Sequence, residues 1–95
     1  ISDRHKVSIL PAEIMYVESN DREVSVYAVD GRVYRNKTGI SQWENILGDD
    51  FIRVHRSFVV RKEVIRDVTS DAVTLIDGTS IPVSRKYRGV VSSTM

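Results

Sequence analysis

Clustered cationic side chains are the groups in this sequence with the clearest capacity for chemistry. Residues 51–65 interleave apolar and basic residues, the latter being Arg53, His55, Arg56, Arg61 and Lys62. A second basic group consists of Arg85, Lys86 and Arg88. A guanidinium group is planar and permanently charged, and it can grip a phosphate or a guanine edge with two parallel hydrogen bonds. We therefore expect both groups to face an anionic partner.

The central stretch also contains residue types that catalysis could use. His55, Ser57 and the pair Asp49-Asp50 have the composition of a nucleophilic triad. However, residues two apart on a strand share a face without being placed for in-line proton transfer, and no glycine elbow accompanies Ser57. We interpret His55 as a half-buried ring bonded to backbone and Ser57 as a turn-forming hydroxyl. A small phosphodiesterase would require turnover that disappears in His55→Ala, and we expect none.

Metal and cofactor binding are not predicted. The only histidines, His5 and His55, are far apart, and neither stands beside a carboxylate at ligand spacing. The chain has no cysteine, so it can form neither a disulfide nor a thiolate metal site. A glycine-rich phosphate loop is also missing from the sequence. We expect a protein without a cofactor.

The composition is that of one folded domain over residues 1–95. Hydrophobic residues make up 41% of the chain and charged residues 28%, which is ordinary for a folded domain. No apolar run reaches the ~18 residues of a membrane span, and the lack of cysteine fits a reducing compartment. We expect a cytoplasmic protein that does not enter a membrane. Because the chain opens with Ile1, we expect a fragment of a longer protein.

The charge is unevenly distributed. Residues 1–50 carry 6 Lys and Arg against 9 Asp and Glu, a balance of −3, whereas residues 51–95 carry 8 against 4, a balance of +4. Arginine outnumbers lysine by 10 to 4. This bias favours recognition of an anion. The alternative is that the arginines are solvated or paired with nearby acids.

Short apolar segments separated by turn residues predict a succession of β-strands. The predicted strands cover residues 6–9, 14–18, 24–29, 32–36, two within 51–65, 64–68, 72–76 and 80–83. In the central stretch, Phe58 and Val60 are expected to point inward. Asp30-Gly31 and Asp77-Gly78 indicate tight hairpins, with positive φ at both central positions. Residues 84–88 are expected to leave the sheet as a basic turn or a single helical turn.

One segment has helical rather than strand periodicity. Ile40, Trp43 and Leu47 fall on one helical face. Ser41 and Glu44 have the spacing of a capping box, and Gly48 marks the helix end. Trp43 is expected to anchor the helix in the core rather than to stack on a base. The pattern as a whole predicts an all-β fold, a sandwich or barrel-like arrangement of small sheets with one short α-helix.

Two motifs in this order resemble the LytTR family of DNA-binding domains. They are F-I-R-V-H-R-S-F-V-V at residues 51–60 and D-G-T-S-I-P-V-S-R-K-Y at residues 77–87. The segment I-M-Y-V-E-S at residues 14–19 resembles the family's first strand, and the short helix lies where the family has its own. The resemblance extends from about residue 7 to residue 91.

This resemblance implies an antiparallel all-β fold with small sheets and one short helix. It implies binding of double-stranded promoter DNA by loops inserted into successive major grooves, with bending of the DNA. Family members are output domains of bacterial response regulators. We therefore expect a homodimer on repeated sites, assembled through a phosphorylatable receiver domain.

The resemblance also assigns roles to individual residues. The positions that match the family's base contacts are Arg56, Arg85 and, in the polar loop at residues 20–23, Arg22 or its neighbours. By charge and position alone, and not from the resemblance, supporting or phosphate contacts are expected from Asn20, Arg61, Lys62, Lys86 and Arg88. The family usually has Asn at the position of Arg61, so this residue departs from the pattern.

An alternative function remains open from the residues alone. A β-rich protein-interaction module could use an exposed strand edge, or the arginine row, to bind an acidic partner. The sequence does not give an operator, the regulated genes, the direction of regulation or the upstream signal.

Overall fold

The computed structural model describes residues 10–21 and 23–94. The strand expected at residues 6–9 and the side chain of Arg22 lie outside the described residues. Eight antiparallel strands form two sheets, of which the larger has the order β3-β2-β1-β5-β4 and the smaller the order β6-β7-β8. The strands are β1 Ile14–Asn20, β2 Glu23–Ala28, β3 Val33–Asn36, β4 Phe51–His55, β5 Phe58–Arg61, β6 Ile65–Val68, β7 Ala72–Leu75 and β8 Ser80–Pro82.

Helices cover one face of the larger sheet and link the two sheets. The α-helices are α1 Ile40–Leu47 and α2 Arg88–Thr94, and the 3₁₀ turns are Pro11–Glu13, Gly48–Asp50, Lys62–Val64 and Arg85–Tyr87. Within the described residues, none of these helices has the length and apolar character needed to span a membrane. The expected all-β fold of small antiparallel sheets is confirmed.

The larger sheet is buried on both faces. On one face, Val17, Val26 and Val59 pack against Trp43 and Leu47 of α1. On the other face, side chains of β4 and β5 meet the smaller sheet and α2 in a second core, which comprises Met15, Ile52, Val54, Val60, Val64, Val73, Leu75, Ile81, Val83 and Val91.

Burial on both faces changes the expected alternation in β5. Val59 and Val60 are adjacent and both fully buried, on opposite faces, whereas Phe58 is only half-buried. Phe58 and Val60 do point inward, to the second core, as expected, but their neighbour Val59 is buried in the first core instead of facing solvent. A strand that is covered on both sides has no solvent face to which alternate side chains can point.

The two Asp-Gly hairpins form where expected but with a different turn. Gly31 and Gly78 have φ of 91° and 92°, whereas Asp30 and Asp77 do not have positive φ. The Gly N–H groups donate to the carbonyls three residues earlier, at 3.1 and 2.9 Å. Each Asp Oδ1 accepts a hydrogen bond from the backbone N–H two residues later, at 2.9 Å. These are type I turns followed by a glycine bulge, and the Asp side chain stabilises them.

Helix α1 ends as expected but begins differently. Gly48 at its end has φ 71°, and Trp43 is buried as expected, with its indole N–H donating to Asn36 Oδ1 at 3.1 Å. The N-cap is Gly39, which has no side chain, so the expected capping box of Ser41 and Glu44 was wrong. Glu44 instead forms an ion pair with Arg53.

The structure has a second short α-helix, whereas the sequence predicted only one. The basic turn at residues 85–87 is present, but the chain then continues as α2. Helix α2 has the sequence RGVVSST, and Gly, Val, Ser and Thr are weak helix formers. Val91 is buried against the second core, and this packing outweighs the poor propensity.

An aromatic stack lies on the larger sheet. The rings of Tyr16 and Tyr27 are stacked with centroids 4.3 Å apart, and the Tyr27 hydroxyl donates to Glu18 Oε1 at 3.1 Å. Burial, followed by the charges of Tyr27, Glu18 and Asp77, raises the pKa of Tyr16 to about 12. The folded protein therefore holds this phenolic proton more tightly than the unfolded chain does.

We expect substitutions in the smaller sheet to destabilise the whole domain. Leu75→Ala removes a fully buried side chain and should lower the free energy of unfolding by about 2–5 kcal/mol. The neighbouring Ile76 is 60% exposed, and Ile76→Ala should change it by less than about 0.5 kcal/mol. Urea unfolding followed by the fluorescence of Trp43, on the opposite face of the larger sheet, measures both. An unchanged Trp43 transition in Leu75→Ala would mean that the smaller sheet unfolds separately.

We expect Tyr16 to contribute a step of alkaline destabilisation. Because its folded pKa is raised, its contribution to stability is complete below pH 10 and is lost as pH rises through about 12. The free energy of unfolding of the wild type should fall more steeply between these values than that of Tyr16→Phe, as measured by urea unfolding at stepped pH. Parallel curves for the two proteins would contradict the raised pKa.

Candidate nucleic-acid interface

Three chain connections meet at one end of the larger sheet. The β1–β2 turn lies there because Asn20 pairs with Glu23. The β4–β5 turn lies beside it, since the Ser19 N–H donates to the Ser57 carbonyl at 2.8 Å. The loop from β3 to α1 follows from Asn36, which pairs with Val24. The antiparallel register of the sheet thus aligns Asn20, Arg56 and Lys37 along a single edge.

The second basic group joins this edge through β4. The Ser84 N–H donates to the Val54 carbonyl at 3.0 Å, next to the strand end that carries Arg56. The 3₁₀ turn Arg85–Tyr87 begins at the next residue, so Arg85 and Lys86 lie beside the β4–β5 turn. We call the surface of Asn20, Lys37, Arg56, Arg85 and Lys86 the basic edge.

Within residues 10–21 and 23–94, the cations of the basic edge form no ion pairs. Among the described residues, ion pairs involve five arginines, and none of these lies on the basic edge: Arg32 with Asp30, Arg53 with Glu44, Arg61 with Glu63, Arg66 with Asp67, and Arg88 with Asp71. Arg56, Arg85 and Lys86 are exposed, and Lys37 is exposed as well. These cations are therefore exposed to solvent without an ion-pair partner among the described residues.

The turn that carries Arg56 is held by its own side chains. The half-buried His55 accepts a hydrogen bond from the Ser57 N–H at Nδ1, at 3.1 Å, and its ring lies edge-on to Phe58 with centroids 5.6 Å apart. The interpretation of His55 as a ring bonded to backbone is confirmed. Asp49 and Asp50 precede β4, at the end opposite His55 and about 15 Å away for a five-residue strand. The residue types of a triad are thus separated.

The remaining predicted site residues occupy different places. Asn20 is exposed on the basic edge, whereas Arg22 lies outside the described residues. Arg61 and Lys62 lie at the far end of β5 from Arg56. Arg61 donates to Glu63 Oε2 at 2.8 Å and to the Ala12 carbonyl. Arg88 donates to Asp71 Oδ1 at 2.8 Å.

Sequence reasoning missed one residue of this region and assigned another the wrong position. Lys37 reaches the edge because the β2–β3 hairpin has a fixed register, which could have been counted outward from Asp30-Gly31. The loop that carries it is held by Asn36 Oδ1, which accepts the Thr38 N–H at 2.9 Å. Arg53 was predicted as one cation of a row, but its side chain turns back into the protein. Apart from the family resemblance, no local pattern in the sequence distinguishes it from Arg56.

The part of the chain that the structure describes contains no group of three or more His, Cys, Asp or Glu residues that could hold a metal ion. The functional groups of the basic edge are exposed guanidinium and ammonium groups on short turns that hydrogen bonds stabilise. Such groups bind anions and planar hydrogen-bond acceptors.

Comparisons with known proteins agree with this geometry. Residues 5–94 match the sequence model of the LytTr DNA-binding domain. A solved structure described as the LytTr DNA-binding domain of a methyl-accepting/DNA response regulator from Bacillus cereus superposes with a TM-score of 0.82. It is 28% identical and matches over 93% of this chain and 85% of its own.

Two curated relatives carry the name sensory transduction protein LytT. The protein of Bacillus subtilis (strain 168) is 38% identical over 80 residues, which are 79% of this chain and 33% of the relative. The protein of Enterococcus faecalis (strain ATCC 700802 / V583) is 31% identical over 85 residues, which are 83% of this chain and 35% of the relative. The chain thus spans about a third of the length of these relatives.

Proposed function

Because this chain belongs to the LytTr DNA-binding domain family, we propose that it recognises specific promoter sequences in duplex DNA through the basic edge. The observation that carries the proposal is that Arg56 and Arg85 stand on neighbouring turns, exposed and without ion-pair partners among the described residues. Exposed guanidinium groups that are not neutralised are available for a guanine edge.

Arg56 and Arg85 are proposed to read bases. Each can donate two hydrogen bonds to O6 and N7 of a guanine in the major groove. Arg56 stands on a turn between two strands and Arg85 on a 3₁₀ turn, both narrower than the groove, which is about 12 Å wide. Arg22, which follows Asn20 and Asp21 in the β1–β2 connection, is proposed as a third reader.

The basic edge is shorter than the distance between successive grooves. The β1–β2 turn and the turn at Arg85 lie on opposite sides of Arg56, about three and a half strand spacings or ~17 Å apart. Major grooves on one face of straight DNA recur about every 34 Å. Long side chains make up part of the difference between the separation of the two turns and the groove spacing. Bending of the DNA towards the protein would make up the rest. We infer that the two turns enter successive major grooves of a bent duplex.

Phosphate contacts are assigned to the same edge. Lys86 and Lys37 flank the proposed readers, and Asn20 can donate an amide hydrogen to a phosphate oxygen. Arg61, Lys62 and Arg88 stay predictions. A phosphate bound by Arg61 or Arg88 would have to replace Glu63 or Asp71, so these contacts would contribute less than those of unpaired cations.

The domain is proposed to be the non-enzymatic output domain of a cytoplasmic bacterial response regulator. The relatives named sensory transduction proteins are about three times as long as the matched segment, which leaves room for a receiver domain. Dimerisation through that domain would place two basic edges on repeated promoter sites.

Removal of either proposed reader should reduce specific binding. We expect Arg56→Ala and Arg85→Ala each to cost about 1–3 kcal/mol on a duplex enriched from a randomised pool by the wild-type domain, and less on random duplex. Fluorescence anisotropy measures both affinities. Arg66→Ala removes an exposed arginine of β6 that lies off the basic edge, so it controls for net charge. Equal losses on enriched and random duplexes would make Arg56 and Arg85 phosphate contacts instead.

The salt dependence of binding should report the phosphate contacts. Log affinity should fall linearly with log salt concentration, by about 0.9 per neutralised phosphate, and Lys86→Ala should reduce the slope by about one contact. Titrations at several salt concentrations give the slope, with Arg66→Ala as the control. No salt-sensitive binding to any duplex would contradict the proposal. The alternative of an acidic protein partner would then be favoured, and such a complex should show a shallower, curved response.

A further inference from the structure

Arg53 connects three elements beneath the basic edge. It lies in β4, and its side chain is only 12% exposed. Its Nε donates to the His55 carbonyl at 2.8 Å, and its Nη2 donates to the Arg56 carbonyl. Its Nη1 donates to Glu44 Oε1 of α1 at 2.9 Å. The Arg53 Cζ also lies 5.8 Å from the ring centroid of Tyr87, in the 3₁₀ turn that begins at Arg85.

These contacts compensate for an irregularity in the strand. The pairing of β4 with β5 shifts register between Arg53 and His55, where the strand approaches its turn. Such a shift bends the strand and disturbs the regular ladder of backbone hydrogen bonds. Arg53 supplies donors to two successive carbonyls at this point, including that of Arg56. The backbone that carries Arg56 is thus held by the mostly covered side chain of Arg53.

We propose that Arg53 is a positioning residue, which sets the direction of Arg56 and the spacing between the turns of Arg56 and Arg85. The inference rests on the proposed function, since it assigns a role in the same basic edge. One guanidinium group bonds the Arg56 turn, contacts the ring next to Arg85 and Lys86, and is itself held by Glu44 of α1.

The chemistry of this position requires arginine. A guanidinium group is a planar fork of five N–H donors, and Arg53 directs three of its nitrogens to three separate oxygens. An ammonium group is a compact point charge on a flexible stem and cannot reproduce this arrangement. A pre-arranged turn loses less conformational freedom when it binds, so loss of the fork should weaken specific binding.

A double-mutant cycle tests this role. The probe is a duplex enriched from a randomised pool by the wild-type domain, and anisotropy gives its affinity relative to random duplex. Arg53→Met keeps an unbranched apolar stem, and we expect it to lower this specificity ratio by about tenfold, as coupled residues commonly do. In the Arg56→Ala background, the same substitution should lower the ratio by less than about threefold, because the residue it positions is missing.

Further variants separate positioning from charge and from stability. Arg53→Lys keeps the charge but not the fork, and it should recover less than half of the lost specificity on a logarithmic scale. Arg66→Met removes an arginine from β6, off the basic edge, and should leave the ratio unchanged. Urea unfolding at several temperatures identifies one at which every variant is folded, and binding is measured at that temperature. If Arg53→Met does not fold, Glu44→Gln replaces it in the cycle, with an expected loss of about threefold.

A measurement without DNA gives an independent readout. In the free domain, ¹⁵N relaxation of the Arg56 and Ser57 amides should show more fast motion in Arg53→Met than in the wild type. Arg66→Met should show no such increase. Enrichment of no duplex by the wild type would overturn the proposed function itself. If the wild type enriches a duplex, equal effects of Arg53→Met in both backgrounds, or unchanged amide motion, would overturn only the role of Arg53.

Discussion

The antiparallel pairing of β4 with β5 is the constraint on which the rest of the molecule depends. Between Phe51 and Arg61, this hairpin places Val59 in one core and Val60 in the other. Helix α1 and the smaller sheet are therefore held to the same four-residue strand from opposite sides. With both faces occupied, charged side chains can reach solvent only at the strand ends, which is where Arg56 and Arg61 stand.

The two ends of this hairpin have different electrostatic characters. At one end, Arg61 is neutralised by Glu63 and bonded to the backbone at Ala12. At the other end, Arg56 is exposed, and the nearby Arg53 takes up the available carboxylate of Glu44. The chain has a net charge of only +1. Binding of an anion must therefore depend on which cations are left unpaired and where, since the total charge attracts very little.

The order of strands and helices could be predicted from the sequence because the sequence features that indicate them are local. Apolar periodicity identified the strands, the Asp-Gly pairs identified two hairpins, and Gly48 identified the end of α1. Helix α2 could not be predicted, because Val91 stabilises it only through contact with residues far away in sequence. The capping box failed because the helix begins earlier than the pattern implies, with Gly39 rather than Ser41 as N-cap, and Glu44 pairs with Arg53.

Composition and spacing predicted the residue types of the candidate site. They did not show which of the clustered arginines is exposed and unpaired there. Arg53, Arg56 and Arg61 stand within nine residues and have equal intrinsic chemistry. Their differences arise from the register of β4 and β5, from Glu44 on α1 and from the backbone at Ala12. Each of these is a contact whose partner is placed by the fold.

A binding surface built from turns fixes the direction of its side chains less well than a recognition helix does. In a helix, the hydrogen-bonded backbone fixes side-chain direction over several residues, whereas a two-residue turn fixes it over very few. This domain reduces the difference for the Arg56 turn through additional hydrogen bonds. His55 Nδ1 and the Ser19 N–H hold Ser57, and Arg53 holds the carbonyl of Arg56. The rigidity of the Arg56 turn therefore comes from the sheet and from Arg53, so that under the proposed function only the tip of the Arg56 side chain has to be ordered on binding.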